Sequence, residues 1–255
     1  MKFSIVIPLY NKEGHISRAI NSVLSQTINE FELIVVDDGS TDSSYIEAKK
    51  FNDNRIKLVS QSNSGVSAAR NKGISLAQYD YIGFLDADDS WEPNFLKCIC
   101  KLISDFPEAG AYATSYHIIE DASGKKILPR SVLGFADNWE GIIDDYFKYA
   151  LKAPIISASS VVIPKRVFKN VGTFKVGVKR GEDLDMWCRI ALEYEIAFSN
   201  KVCATYYRDA DNRACNRKVL HKESFTFYSE EILNQVKNEM NYSIYFEEYM
   251  INIII

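Results

Sequence analysis

Three acidic clusters hold the residues of this chain best suited to chemistry. Asp86-Ala87-Asp88-Asp89 sets three carboxylates within four residues, directly after the apolar run Tyr81–Leu85. Carboxylates this close repel one another unless a cation relieves them, and hard oxygen ligands suit Mg²⁺ or Mn²⁺. A cation held there bridges phosphate oxygens and stabilises the charge on a departing diphosphate. The competing reading is a polar turn that caps a helix starting near Pro93. Asp37-Asp38-Gly39 follows another apolar run, Phe31–Val36. It reads either as a turn or as carboxylates that accept hydrogen bonds from a base or ribose. Glu182-Asp183-x-Asp185 opens an amphipathic stretch. Its plain reading is a first helical turn with Asp183 as cap; its chemical reading is a general base for an acceptor hydroxyl. Arg70 is either a surface residue or a planar fork for phosphates.

The elements that must position these groups alternate between strand and helix, which predicts a parallel sheet. Strands are expected at Phe3–Pro8, Phe31–Val36, Ile56–Val59 and Tyr81–Leu85. Helical patterns run from His15 to Gln26, from the Asp42-Ser43-Ser44 cap to Phe51, from Val66 to Ala77 and from Pro93 to Ile103. Further on, Ala111–Ile119, Ile155–Ile163 and Ile196–Thr205 read as strands. A helix is expected around Trp139–Leu151, another from Gly181, and helix from Lys218 to Ile255. In an open parallel sheet, ligands gather at the carboxyl ends of the strands, where Pro8-x-Tyr10-Asn11, Asp37-Asp38 and Asp86–Asp89 all fall.

Composition narrows the function. A formal charge of -4 gives no reason to expect a nucleic-acid partner. The five cysteines are odd in number and include no C-x-x-C, so neither a zinc site nor a disulfide framework is expected, and a reducing compartment is. The run Phe3–Tyr10 contains Pro8 and lacks a small-residue cleavage site, so it reads as a strand rather than a signal peptide. No stretch approaches the roughly 20 apolar residues of a membrane helix, which predicts a cytoplasmic protein. The dinucleotide fingerprint and the phosphate-loop motif are both absent, so a bound nucleotide would be held by carboxylates and metal. His15, His117 and His221 lie in no triad spacing.

Taken in order, five motifs resemble those of the family 2 glycosyltransferases. They are Val6-Ile7-Pro8-Leu9-Tyr10-Asn11, Val35-Val36-Asp37-Asp38-Gly39-Ser40-Thr41-Asp42, Ser67-Ala68-Ala69-Arg70-Asn71-Lys72-Gly73, Phe84-Leu85-Asp86-Ala87-Asp88-Asp89 and Gly181-Glu182-Asp183-Leu184-Asp185-Met186-Trp187-x-Arg189. The resemblance covers roughly residues 1–210. It implies a GT-A fold, an α/β Rossmann-like architecture with a mixed, mostly parallel sheet flanked by helices, and here a C-terminal helical extension. It implies an inverting transfer from a nucleoside-diphosphate sugar, a UDP-sugar first, to a hydroxyl of a saccharide or lipid-linked saccharide, as in bacterial O-antigen or capsule synthesis. In such enzymes residues matching Pro8, Tyr10, Asn11, Asp38 and Arg70 contact the nucleotide. Those matching Asp86, Ala87 and Asp88 line the ribose and diphosphate, and Asp88 or Asp89 binds Mn²⁺ or Mg²⁺. The residue matching Asp183 is the base, with Glu182 beside it.

The expected division is a GT-A domain over 1–215, with a nucleotide-binding half to 105 and an acceptor half after it, then the extension over 216–255. The chain departs from the family after the last strand: Tyr207-Arg208-Asp209-Ala210-Asp211-Asn212-Arg213 lacks the His often found there. Arg208 and Arg213 are the candidates for a late diphosphate contact. The tail Tyr242–Ile255 either packs on the domain, joins two copies in a homodimer, or rests at the inner face of the cell membrane. Glu247-Glu248 and the lack of a basic face make the membrane reading the weakest. Two other functions are alternatives, a non-catalytic nucleotide-sugar-binding subunit and a sugar nucleotidyltransferase; the second shares the strand-end site and the metal and would release pyrophosphate.

Overall fold

In the computed structural model, residues 1–120, 124–209, 219–239 and 243–254 are described; Arg213 lies outside them. The four early strands fall where the apolar runs place them: β1 (Phe3–Leu9), β2 (Phe31–Asp37), β3 (Ile56–Ser60) and β4 (Tyr81–Phe84). They pair in parallel in the order β3-β2-β1-β4. β1 is buried along its whole length because both sheet faces are covered. Its Phe3, Ile5, Ile7 and Leu9 pack under α1 (Ile16–Leu24) and α4 (Phe95–Asp105), while Val6 faces the core beneath α3 (Val66–Leu76). A short α2 (Ser44–Lys49) follows β2.

Beyond β4 the sheet becomes mixed. A two-residue β5 (Ser90–Trp91) follows the acidic turn, and β6 (Ala111–Ile119) and β10 (Ile196–Tyr207) pair in parallel. Between β4 and β6 runs β9 (Val161–Pro164), antiparallel to both. The early strands and the β6/β10 pair therefore run in one direction. The edge that carries the ends of β1, β2 and β4 also carries the ends of β6 and β10 and the start of β9. β10 slips register twice, between Ser199 and Ala204. Such bulges bend a strand, and beyond them β10 pairs with β5.

The long apolar stretch Ile155–Ile163 is strand only in its last part. Residues Ala158–Ser160 form a 3-10 turn, because Ser157 accepts the Ser159 N–H at 3.2 Å and donates its own N–H to Ser160 at 3.0 Å. These local bonds replace ladder bonds. The helix expected over Trp139–Leu151 divides into β8 (Glu140–Ile142), which pairs with β10, and α5 (Tyr146–Ala150), started by an Asp145 cap. A two-residue β7 (Lys126–Ile127) pairs with β6. α6 (Lys165–Val171) leads to α7 (Glu182–Glu193), and the C-terminal region forms α8 (Phe225–Glu239) and α9 (Ile244–Ile254). α9 packs on α5, with Phe246 at 4.9 Å from the Phe147 ring. This is the first of the three outcomes weighed for the tail.

α3 lies close on β1 because of Gly73. A Cβ built there would sit 2.3 Å from Val6 Cγ1. Gly73→Ala is expected to lower the unfolding free energy by about 1–3 kcal/mol, as overpacking does. Pairing it with Val6→Ala should recover part of the loss, as measured by urea denaturation.

Candidate active site

β1, β2 and β4 each end in a loop at the shared edge, and the loops are tied to one another. Asn11 has a left-handed φ of 50°. Its N–H donates to Ser40 Oγ at 3.1 Å, and its side-chain oxygen accepts from the Thr41 N–H at 2.8 Å. Asp38 is buried and receives Gln61 Nε2 at 2.7 Å and the N–H groups of Ser64 and Gly65 at 2.9 and 2.8 Å. It thereby holds the loop that leads into α3. Gly39 permits this approach: a Cβ there would lie 2.9 Å from Asn63 N, and its φ is +71°. Pro8 and Ala87 are buried, and Tyr10 is half-buried at the end of β1.

The acidic turn splits by environment. Asp89 is fully buried, accepting from Tyr207 N–H at 3.0 Å and from the Ser159 hydroxyl. Burial, then Asp88 and Asp86, push its carboxyl well above the ordinary range. Read from sequence as an alternative metal ligand, Asp89 here braces the turn from within. Asp88 points the other way and meets Lys12 Nζ at 2.7 Å. Asp86 pairs with Arg70 at 2.8 Å and is the most open of the three, with 29% side-chain exposure. Arg18 donates to the Asp88 carbonyl while its guanidinium lies 3.6 Å over the Tyr207 ring. Ser159 also accepts from the Asp86 N–H at 3.1 Å. Lys12, Arg18 and Ser159 were not singled out from the sequence. Their partners lie 76, 70 and 70 residues away along the chain, and no local pattern marks them.

Arg70 bridges two regions. One terminal nitrogen holds Asp86 and the other holds Glu182 at 2.9 Å, with Phe174 5.2 Å from the guanidinium carbon. Burial works against its charge, but Asp86 and Glu182 outweigh that and raise its pKa. The helix cap at this point is Gly181, in the left-handed region, so Asp183 is not the cap expected from sequence. Asp183 stands in the first turn, half-buried, and accepts the Leu184 N–H at 2.9 Å. Burial and then Glu182 push its carboxyl up to about 7, although Arg70 pulls the other way. Asp185, fully buried, instead grips Arg189 at 2.6 Å and Lys175 at 2.9 Å. Arg189 reaches the carbonyls of Val171 and Thr173, so this pair anchors α7. Arg208 sits at the rim, paired with Glu120 at 3.3 Å.

Asp88 and Asp86 could hold a divalent cation at this corner only in competition with the Lys12 and Arg70 charges they already carry. Asp88 and Asp86 offer hard carboxylate oxygens. Among the described residues no three His, Cys, Asp or Glu side chains converge as a closed metal cage. A cation there would complete its shell with diphosphate oxygens and water, as Mg²⁺ does at phosphate sites. A cavity of about 480 Å³ lies elsewhere, lined by Asp144, Tyr146, Leu192, Tyr194, Ile196 and Phe246 among others. It opens at the far end of α7, some 15 Å from Asp183 at the helical rise of about 1.5 Å per residue.

Fold and site together define a glycosyltransferase domain of the GT-A class. Residues 4–222 match the profile of Glycosyl transferase family 2, and the chain belongs to that family. It is 26% identical over 243 residues to a chondroitin synthase of Pasteurella multocida, a match covering 94% of this chain and 24% of that protein. It is 31% identical over 196 residues to the glycosyltransferase GlyA of Streptococcus pneumoniae, covering 71% of this chain and 27% of GlyA. The crystal structure of Staphylococcus aureus TarS 1-349 in complex with UDP-GlcNAc superposes with a TM-score of 0.78 at 22% identity, over 100% of this chain and 70% of that one. The chain thus spans about a quarter of the length of these curated relatives. No helix among the described residues is long and apolar enough to cross a membrane.

Proposed function

We propose that this chain transfers a sugar, with inversion, from a nucleoside-diphosphate sugar to a hydroxyl of a saccharide or lipid-linked saccharide. A UDP-sugar is the first choice of donor, because the TarS structure of like fold is a complex with UDP-GlcNAc. A growing polysaccharide is the first choice of acceptor, because the similar proteins include a chondroitin synthase and a hyaluronan synthase. The observation that carries this reading is Asp183. It is a half-buried carboxyl raised to about 7, without a cation paired to it directly among the described residues, and joined through Glu182 and Arg70 to the acidic turn. A base is most effective with a pKa near the working pH.

In the reaction, Asp183 takes the proton of the acceptor hydroxyl as that oxygen bonds to the anomeric carbon. The bond from that carbon to the diphosphate oxygen breaks, and its electron pair leaves with the diphosphate. One base suffices, since no second carboxylate is needed as nucleophile. Mn²⁺ or Mg²⁺, held by Asp88 with Asp86 close by, would neutralise charge on the leaving diphosphate. Asp38, Tyr10, Pro8 and Asn11 contact the nucleotide in this reading, and Arg208 the diphosphate. Residues 1–105 act as the donor half and 106–215 as the acceptor half.

Thermal-shift measurements with UDP, GDP, the deoxythymidine diphosphate and their sugars, each with Mn²⁺, test the donor site. At least one should raise the melting temperature by several degrees; if none does, the reading is wrong. Release of nucleoside diphosphate, not pyrophosphate, on turnover separates transfer from nucleotidyl chemistry.

A further inference from the structure

The outward carboxylate of the acidic turn already has a cation of the protein's own. Lys12 is fixed at its backbone: its N–H donates to Ser44 Oγ at 2.6 Å, and its carbonyl accepts the N–H groups of His15 and Ile16, both at 2.9 Å. The left-handed Asn11 before it is bonded to Ser40 and Thr41. From this anchored start the side chain crosses to Asp88 Oδ2 at 2.7 Å, and the two side chains are only 12% and 13% exposed. Arg18 meanwhile holds the Asp88 carbonyl, which fixes the turn beneath the carboxylate. The ammonium thus stands on the carboxylate that the proposed reading gives to the metal. A divalent ion and an ammonium cannot both sit on it without strong like-charge repulsion.

We propose that Lys12 is the resident counter-ion of the donor site. It holds Asp88 while the site is empty and yields it only when the metal arrives together with a diphosphate. The diphosphate then supplies the displaced ammonium with new anionic partners. A lysine suits this exchange, since its charge is a compact point on a flexible stem, whereas arginine's rigid fork is harder to re-aim. Metal and nucleotide consequently bind with positive coupling, each strengthening the other by the same factor. This inference rests on the donor-site reading above.

The test uses Mn²⁺ binding to the whole chain, read from the electron paramagnetic resonance signal of free Mn²⁺, with and without UDP. Wild type should bind Mn²⁺ at least about tenfold more tightly with UDP than without, within the usual range of coupling. Lys12→Met should bind Mn²⁺ alone about tenfold more tightly than wild type, so that the UDP effect shrinks. Lys12→Arg, which keeps the charge, should stay weak without nucleotide. If Lys12→Met and wild type both take up Mn²⁺ with UDP, yet bind Mn²⁺ alone equally, Lys12 is no competitor and the proposal fails. If neither binds Mn²⁺ with UDP, the donor-site reading falls and this inference falls with it.

Discussion

Asp183→Asn is expected to lower kcat by about a thousandfold, within the range that a positioned base contributes, while UDP and Mn²⁺ binding stay as in wild type. The side chain keeps its shape and can still accept the Leu184 N–H, so the defect isolates proton transfer. In wild type the active form is the carboxylate, so kcat/KM should fall as pH drops below about 7. Stability should move the opposite way. The carboxyl titrates at about 7 in the folded chain against an ordinary 3.8, so between these values the unfolded chain binds fewer protons. Wild-type stability therefore falls as pH rises through that window. Asparagine carries no such penalty. The melting temperature of Asp183→Asn relative to wild type should rise from about pH 4 to above pH 7 and then level off. A difference that stays flat with pH would show that Asp183 is not raised.

Arg70→Met is expected to cost about 3 kcal/mol of stability and to abolish activity. Removing one member of a buried ionic group leaves the others uncompensated, at about 3–5 kcal/mol. The lower end is chosen because Asp86 is 29% exposed and water relieves part of its charge. Arg70 itself is 3% exposed at the side chain, with Glu182 at 10%. Arg70→Lys should retain one of the two contacts and part of the stability, because an ammonium cannot span both carboxylates as a fork does. Adding Glu182→Gln to Arg70→Met should restore part of the loss, since it removes a stranded charge. Guanidinium denaturation decides the matter, and a loss below about 1 kcal/mol for Arg70→Met would mean that the three charges do not act together.

The first four strands were legible because their determinants are local. Apolar runs covered on both faces mark β1, β2 and β4, and the polar residues that stop each run fall at one shared edge of the sheet. Glu182, Asp183 and Asp185 were legible as a group but not in their division of labour. Only the packing shows that Asp185 is spent on Arg189 and Lys175, leaving Glu182 to Arg70 and Asp183 open to titrate. The same holds for the acidic turn, where Asp88 and Asp89 are adjacent in sequence and face opposite ways. The stretch from 106 to 180 was least legible. Its strand β9 is short, Ser157 diverts the chain into a turn, and Asp145 starts a helix later than the apolar pattern suggests.

The bond from the Tyr207 N–H to Asp89 has a consequence for biogenesis. It joins positions 118 residues apart, and Ser159 reaches the same carboxyl from 70 residues away. The ribosome delivers the early strands first, yet the acidic turn can gain its Ser159 bond only after residue 159 is made and its Tyr207 bond only once β10 is complete. Until then three carboxylates stand crowded at the strand's end with Asp89 short of its Tyr207 bond. The acidic turn is thus among the last parts of the domain to mature, although its residues precede those partners in the chain.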